Sequence, residues 1–269
     1  MPAAPSQLPG MGGAAARFDG QRVLVTGASR GIGAAIARRF AELGADIALT
    51  ARSAGAVETL AGQFRRAGTR AVAVPADLAD RDSLAALTDR VGEELGGLDV
   101  LVNNAGMLPA AAAAGAVGWA EWDHVIGLNL SAPWYLACRA KELMGEGGGV
   151  VVNNASTASY YPSRGLVAYN VSKAALVMLT RALALEWARD RVRVVGVAPG
   201  KIDTELVRPI LDWSEKTQRP LNPMRRIGQD YEVAELVAFL ASPRAGFITG
   251  VTVPIDGGEL LAAGSETGR

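Results

Sequence analysis

The sequence predicts an α/β fold built on a doubly wound parallel sheet. Three observations point there. Short β-branched runs alternate with longer helical patterns along the chain. The runs are continuously apolar, without the alternation of a one-sided sheet, as expected where helices cover both faces. The first run opens into a glycine-rich turn followed by an amphipathic helix, a pattern suited to phosphate binding.

The elements follow in order. RVLVT is the first strand and GIGAAIARRFAELG the first helix. DIALTAR, VETLAGQFRRAG, RAVAVPADL and DSLAALTDRVGEELG continue the rhythm. LDVLVNNAG, a long helical stretch from Trp119 to Met144, and GVVVNNAS come next. A helix over 167–188, then VRVVGVAPG and VTVPIDGG, complete seven strand candidates. Repeated β-α-β units with right-handed crossovers imply a parallel sheet. No linker or internal repeat divides the chain, so residues 18–269 read as a single domain. Residues 1–17 read as a flexible N-terminal tail, with Pro and Gly where a signal peptide would have a cationic start and an apolar core. Two segments break the rhythm: Met107–Gly118, rich in small residues, and a Pro-rich insertion over 203–229. Both leave the carboxyl edge of the sheet, where ligands bind and where long segments often act as lids.

Composition excludes some functions. The 269 residues carry a formal net charge of zero, so no long-range field favours a nucleic acid or an anionic membrane. No run approaches the ~18 apolar residues of a membrane span. One cysteine, Cys138, cannot form a disulfide within the chain, which fits a reducing, cytoplasmic compartment. In the helical pattern WYLACRA it reads as a small apolar residue.

The turn TGASRGIG places Gly27, Gly31 and Gly33 in the spacing G-x-x-x-G-x-G. Glycines there permit a tight turn and a close backbone approach to a pyrophosphate, and the helix start offers free N–H groups. The second strand bears on the choice of nucleotide. An NAD site usually has a carboxylate at that strand's end to bond the ribose 2′-hydroxyl. Here Ala51 stands there, Arg52 follows, and Arg30 lies in the turn. Guanidinium groups suit a 2′-phosphate, so NADP is favoured over NAD.

The chain has only five tyrosines and four lysines, yet Tyr169 and Lys173 lie one helical turn apart. An unperturbed phenol has a pKa of about 10 and transfers protons poorly at neutral pH. A cation beside it is expected to lower that value, so that Tyr169 can give a proton to a developing alkoxide or take one from an alcohol. Ser156, at the end of the fifth strand, is placed to bond the substrate carbonyl.

TGASRGIG, Asp77–Leu78, the NNAG of Asn103–Gly106, Asn129 in GLNLS, Ser156, YNVSK, PGKIDT and ITGVTVPIDGG occur in the order that resembles the short-chain dehydrogenase/reductase family, and in particular its 3-oxoacyl-reductase-like members. The resemblance runs from about Phe18 to Leu261. It implies a Rossmann-type domain with a seven-stranded sheet. It implies that Tyr169 is the general acid/base, that Lys173 binds the nicotinamide ribose, that Ser156 orients the carbonyl, and that Asn129 holds a water for proton relay. For the cofactor it implies Gly27, Ser29, Arg30, Gly31, Ile32 and Gly33 in the turn, with Arg52 beyond the second strand. Asp77 and Leu78 would meet the adenine, and Asn104, Ala105 and Gly106 the adenosine side. Pro199, Gly200, Ile202 and Thr204 would meet the nicotinamide end, together with Tyr169 and Lys173. A homotetramer or homodimer is the family expectation, with the 167–188 helix pairing with its symmetry mate. Thr157 stands where a second serine often adjoins Ser156; Ser159 would be the substitute were Ser156 displaced.

The activity expected is NADP(H)-dependent reduction of a ketone to a secondary alcohol. The alternatives are an NAD-dependent alcohol dehydrogenase of the same fold and a nucleotide-sensing subunit without turnover. His124, the lone histidine, reads as a partly exposed helix residue, and the acidic residues show no metal-ligand pattern. Tyr160, Tyr161, Leu166, Trp213 and Met224 either line a substrate pocket or cap the core. The apolar stretch around Pro209–Trp213 hints at a bulky apolar substrate.

Overall fold

The computed structural model describes residues 17–205, 207 and 221–262. Among them, seven strands form one sheet: β1 (Arg22–Thr26), β2 (Asp46–Thr50), β3 (Ala71–Ala73), β4 (Val100–Asn103), β5 (Gly149–Asn154), β6 (Val192–Pro199) and β7 (Thr252–Ile255). Their order is β3-β2-β1-β4-β5-β6-β7, and every adjacent pair is parallel. This is the doubly wound α/β sheet that the apolar runs predict.

Why the runs are continuously apolar is visible in the packing. Val23, Val25, Ile47, Leu49, Val100 and Val102 enter one core, with α1 (Gly31–Glu42), α2 (Ala54–Arg66) and α7 (Asp230–Ala241) laid over it. Leu24, Ala48, Leu101, Val151 and Val194 enter the other, under α3 (Arg81–Leu95), α5 (Ala132–Met144) and α6 (Val167–Trp187). Side chains alternate across a strand, so a sheet covered on both faces needs an apolar residue at every position. Ile36 and Phe40 lie one turn apart on α1 and are fully buried. Each such burial contributes roughly 1.5–3 kcal/mol. Phe18 packs edge-on against Phe40 with ring centroids 4.9 Å apart.

Three local features depart from the sequence reading. The expected single helical stretch from Trp119 to Met144 is α4 (Trp119–Ile126), a π-helical turn over Gly127–Ser131, and then α5. β3 ends at Ala73, short of RAVAVPADL, although the Val74 and Ala76 N–H groups still donate to the Leu49 and Ala51 carbonyls beside it. Helix α7, unnamed in the sequence reading, begins where the predicted insertion ends. Its first turn is closed by a reciprocal capping box between Gln229 and Glu232, and it packs on α1. A short helix, α8 (Glu259–Ala262), follows β7. Residues 1–16 of the expected tail lie outside the described residues, as do 206 and 208–220 of the 203–229 insertion, including the Pro209–Trp213 stretch and Trp213.

The strand order runs outward from β1 in one direction and from β4 in the other. The crevice outside the carboxyl ends of these two strands is the topological switch point, where such sheets bind ligands.

Candidate active site

β1 delivers the glycine turn to that crevice. Gly27 and Gly31 have φ of +65° and +51°, a region that L side chains rarely adopt. A Cβ at Gly33 would lie 2.2 Å from the Gly27 carbonyl oxygen, so only glycine lets α1 start this close to the strand. The first turn of α1 carries no acidic residue, and its Ncap, Arg30, makes no side-chain cap bond. The first N–H groups of the helix therefore face the crevice without a competing carboxylate. The turn is pinned from behind. Thr26 Oγ1 accepts from the N–H groups of Asn104 and Ala105, both at 2.9 Å, and donates to the Val102 carbonyl at 3.2 Å. Asn104 Nδ2 donates to the Thr26 carbonyl at 2.9 Å, while its Oδ1 accepts from Asn154 Nδ2 at 2.9 Å. The ends of β1, β4 and β5 are thus tied together by side-chain amides.

β5 and α6 deliver the reactive groups. Ser156 is the Ncap of a short 3₁₀ turn over Thr157–Ser159, and its Oγ accepts from the Ala158 N–H at 3.1 Å. Its hydroxyl lies beside the Tyr169 phenol. Lys173 lies one turn beyond, with Nζ 5.9 Å from the Tyr169 ring centroid. That ammonium donates to the Asn154 carbonyl at 2.7 Å and is nearly buried. Burial lowers the pKa of Lys173 to about 8. Burial raises the pKa of the Tyr169 phenol above its ordinary value, and the neighbouring Ser156 hydroxyl opposes that rise. The expected lowering of Tyr169 by Lys173 is thus corrected here. The ammonium is directed to the strand-end carbonyl, and desolvation dominates the phenol.

Asn129 is fully buried in the π-helical turn. Its Oδ1 accepts from the Met107 N–H at 2.9 Å, and its Nδ2 donates to the Met107 carbonyl at 3.0 Å and to Ser172 Oγ at 3.2 Å. Ser172 Oγ in turn donates to the Tyr169 carbonyl at 2.8 Å. A Cβ at Gly106 would lie 3.1 Å from Asn129 Oδ1 and 3.5 Å from Lys173 Nζ, so glycine there keeps these two side chains close.

Beyond β6, Gly200 donates its N–H to the Ile255 carbonyl at 3.0 Å. Ile202 is buried and bridges Gly228. Thr204 reaches the glycine turn, its Cγ2 3.2 Å from where a Gly31 Cβ would stand. Next to it, Glu205 forms an exposed ion pair with Arg30. A cavity of about 200 Å³ beside this segment is lined by Lys201, Asn222, Met224 and Asp256, among others. Among the described residues, no group of three or more His, Cys, Asp and Glu could hold a metal ion, and no helix is long and apolar enough to cross a membrane.

A sequence profile described as Enoyl-(Acyl carrier protein) reductase matches residues 27–259. The cis-4-hydroxycyclohexanecarboxylate dehydrogenase of Sinomonas cyclohexanicum is 39% identical over 242 residues, spanning 90% of this chain and 97% of that protein. The crystal structure of a short chain dehydrogenase from Burkholderia cenocepacia J2315 in complex with NADP superposes with a TM-score of 0.84 at 36% identity, covering 90% of this chain and 99% of that one. A dehydrogenase/reductase from Sinorhizobium meliloti 1021 gives 0.85 at 37% identity, over 90% and 96% of the two chains.

The chain belongs to the short-chain dehydrogenase/reductase family.

In this short-chain dehydrogenase/reductase, Ser156, Tyr169, Lys173 and Asn129 come together at the switch point with the glycine turn and Gly106. Asp77 is exposed and closes a turn by accepting from the Ala79 N–H, while the Leu78 side chain is buried in the core. Arg52 is exposed and makes no ion pair among the described residues. Ser159 donates to the Lys173 carbonyl at 2.9 Å, so it does not displace Ser156. Tyr160, Tyr161 and Met224 are exposed, and Leu166 is half-buried.

The sequence reading missed the scaffold: Thr26, Asn154, Ser172, and the buried Asn103–Asn153 pair with an amide bond of 3.0 Å in register across β4 and β5. The available signal was two strands of apolar residues that each end in paired asparagines, VNN and VVNN. Buried amides in such places must find partners.

Proposed function

We propose that the protein is an NADP(H)-dependent oxidoreductase acting on a ketone/secondary-alcohol pair, working as a carbonyl reductase. The observation that carries the reading is the Tyr169 phenol beside Ser156, with Lys173 one turn away, at the crevice that also holds the glycine turn. The crevice residues fit a dinucleotide. Gly27, Gly31 and Gly33 let the turn pack tightly against Asn104, Ala105 and Thr204, the α1 N-terminus offers donors, and the first turn of α1 carries no acidic residue. Arg30 and Arg52 would hold a 2′-phosphate, and Ala51 leaves the end of β2 without an acid. When bound, the nicotinamide group supplies or accepts the hydride. Ser156 donates to the carbonyl oxygen and fixes its position. Tyr169 gives the proton to that oxygen as it becomes an alkoxide, or takes it in the oxidative direction. Lys173, one turn beyond the phenol with its ammonium held on the Asn154 carbonyl, would bind the nicotinamide ribose.

A second reading, NAD-dependent alcohol oxidation, is favoured by one observation: Arg30 is already paired with Glu205. The solved Burkholderia relative carrying NADP supports the first reading. The similarity of this chain to a cis-4-hydroxycyclohexanecarboxylate dehydrogenase supports cyclic ketones as early members of a substrate panel, after 3-oxoacyl thioesters. A homotetramer or homodimer in a reducing cytoplasm completes the proposal.

The test is a ketone panel followed by NADPH and NADH absorbance, in the wild type and in Arg52→Asp. The wild type is expected to turn over with NADPH in preference to NADH. Arg52→Asp is expected to shift the ratio of the two kcat/KM values towards NADH by about tenfold or more. An unchanged ratio removes Arg52 from the site, and a wild-type preference for NADH establishes the second reading. Tight dinucleotide binding without turnover of any substrate would instead mark a nucleotide-sensing subunit.

A further inference from the structure

The loop joining Ser156 to Tyr169 is fastened at three places. Ser159 Oγ donates to the Lys173 carbonyl at 2.9 Å, and the Tyr160 hydroxyl donates to the Thr252 carbonyl at 3.4 Å. At the far side a single amide does the work of a cap. Asn170 Oδ1 accepts from the Ser163 N–H at 3.2 Å, and Asn170 Nδ2 donates to the Ser163 carbonyl at 2.8 Å. Both backbone groups of one loop residue are thereby satisfied by one side chain in the first turn of α6. The helix has no side-chain cap at Leu166.

The fastening continues outward. Two residues past Ser163, Gly165 sits at φ +79°, and its carbonyl accepts from the Ala112 N–H at 2.9 Å. A Cβ at Gly165 would lie 3.1 Å from Ala111 Cβ. The Met107–Gly118 segment leaving β4 therefore rests on the arch that leaves β5, and the arch rests on Asn170. Both lie beyond the carboxyl ends of their strands, on the side where Ser156 and Tyr169 open.

We propose that Asn170 is a positioning residue for ketone binding. It clips Ser163 to α6, holds the 160–166 arch against Ala111 and Ala112, and so fixes the wall against which substrate is oriented towards Tyr169. This rests on the oxidoreductase reading above. The chemistry of the clip is specific. An amide both accepts and donates at this length. An ionised aspartate accepts from the Ser163 N–H but repels the Ser163 carbonyl, whereas a protonated aspartic acid restores the donor.

The experiment compares wild type, Asn170→Ala and Asn170→Asp by KM and kcat for a ketone, by NADPH affinity, and by the rate at which trypsin cuts the bond between the exposed Arg164 and Gly165. Asn170→Ala is expected to raise KM about tenfold, with kcat within about twofold and NADPH affinity unchanged, the signature of lost ground-state binding. The same variant is expected to be cut after Arg164 about tenfold faster, as expected for a loop that opens more often. Asn170→Asp should match Asn170→Ala near pH 8 and recover towards the wild type as the pH falls to about 4, where an aspartic carboxyl gains its proton. The ratio of Asn170→Ala to wild type should stay flat over that range. Wild-type KM in Asn170→Ala, a KM increase without faster cutting, or no recovery of Asn170→Asp in acid each overturns the proposal. Trypsin reads the clip without turnover. A wild type that reduces no ketone therefore defeats the oxidoreductase reading, and the positioning role with it, even where the cutting rates show the clip in place.

Discussion

The Lys173 ammonium is 5% exposed and donates to the Asn154 carbonyl at 2.7 Å. Burial holds its pKa at about 8 against an ordinary 10.5. Between these two values the unfolded chain keeps a proton that the folded chain has released, so stability rises with pH across that window. Below about pH 8 both states are protonated, and the cost of the buried charge is present in full, at most about 3 kcal/mol. Tyr169 acts in the opposite sense. Its raised pKa means that the unfolded phenol ionises first, so its contribution falls as pH climbs past the ordinary tyrosine value. The urea midpoint of the dinucleotide-free protein should therefore increase from pH 8 to pH 10 relative to that of Lys173→Met. Parallel profiles for the two proteins would show that Lys173 is not held in a desolvated place. The spacing of Tyr169 and Lys173 was legible in the sequence because one helix sets it. The direction of the phenol shift was not, because burial and the Asn154 carbonyl come from β5 and from packing. Asn104 shows the same limit. Its motif pointed to the cofactor, yet its side chain bonds Thr26 and Asn154, partners that only the strand order brings within reach.

At the scale of elements, α6 carries apolar residues on more than one face. Leu183, Ala184 and Trp187 enter the core beneath the sheet, whereas Val171, Met178 and Leu185 are exposed. Together with Trp134 of α5, also exposed, Met178 lines an apolar groove of about 420 Å³ that contains Ala175, Leu179 and Ala182 and no charged side chain. An apolar stretch without charges on a helix pair suits a second copy of the same surface. Sedimentation equilibrium is expected to give two or four times the mass of one chain, and Met178→Asp is expected to shift the distribution towards the monomer. A monomeric wild type would contradict this. Periodicity alone did not separate the two faces, since a buried helix and a docking helix share the same spacing. The π-helical turn at Gly127–Ser131 was hidden for a related reason. The pattern around GLNLS is helical, and the extra residue that turns Asn129 inward leaves no mark in hydropathy.

For the whole molecule, the alternation of strand and helix and the two-sided apolar strands made the sheet legible before any coordinate. The seven parallel strands, the glycine turn after β1 and the start of α1 at Gly31 all follow from local pattern. What pattern did not contain was adjacency. That β1 lies beside β4 decides that the glycine turn faces Asn104 and Gly106, and that Ser156 and Tyr169 open on the same crevice. The central claim is that a phenol at this crevice carries the proton while the neighbouring groups only bind and orient. It is tested most directly by Tyr169→Phe, measuring ketone turnover together with NADPH affinity. The account predicts a loss in kcat of roughly 100-fold or more, the scale of a general acid, with NADPH binding within about twofold of the wild type. Wild-type turnover by the phenylalanine variant would contradict it.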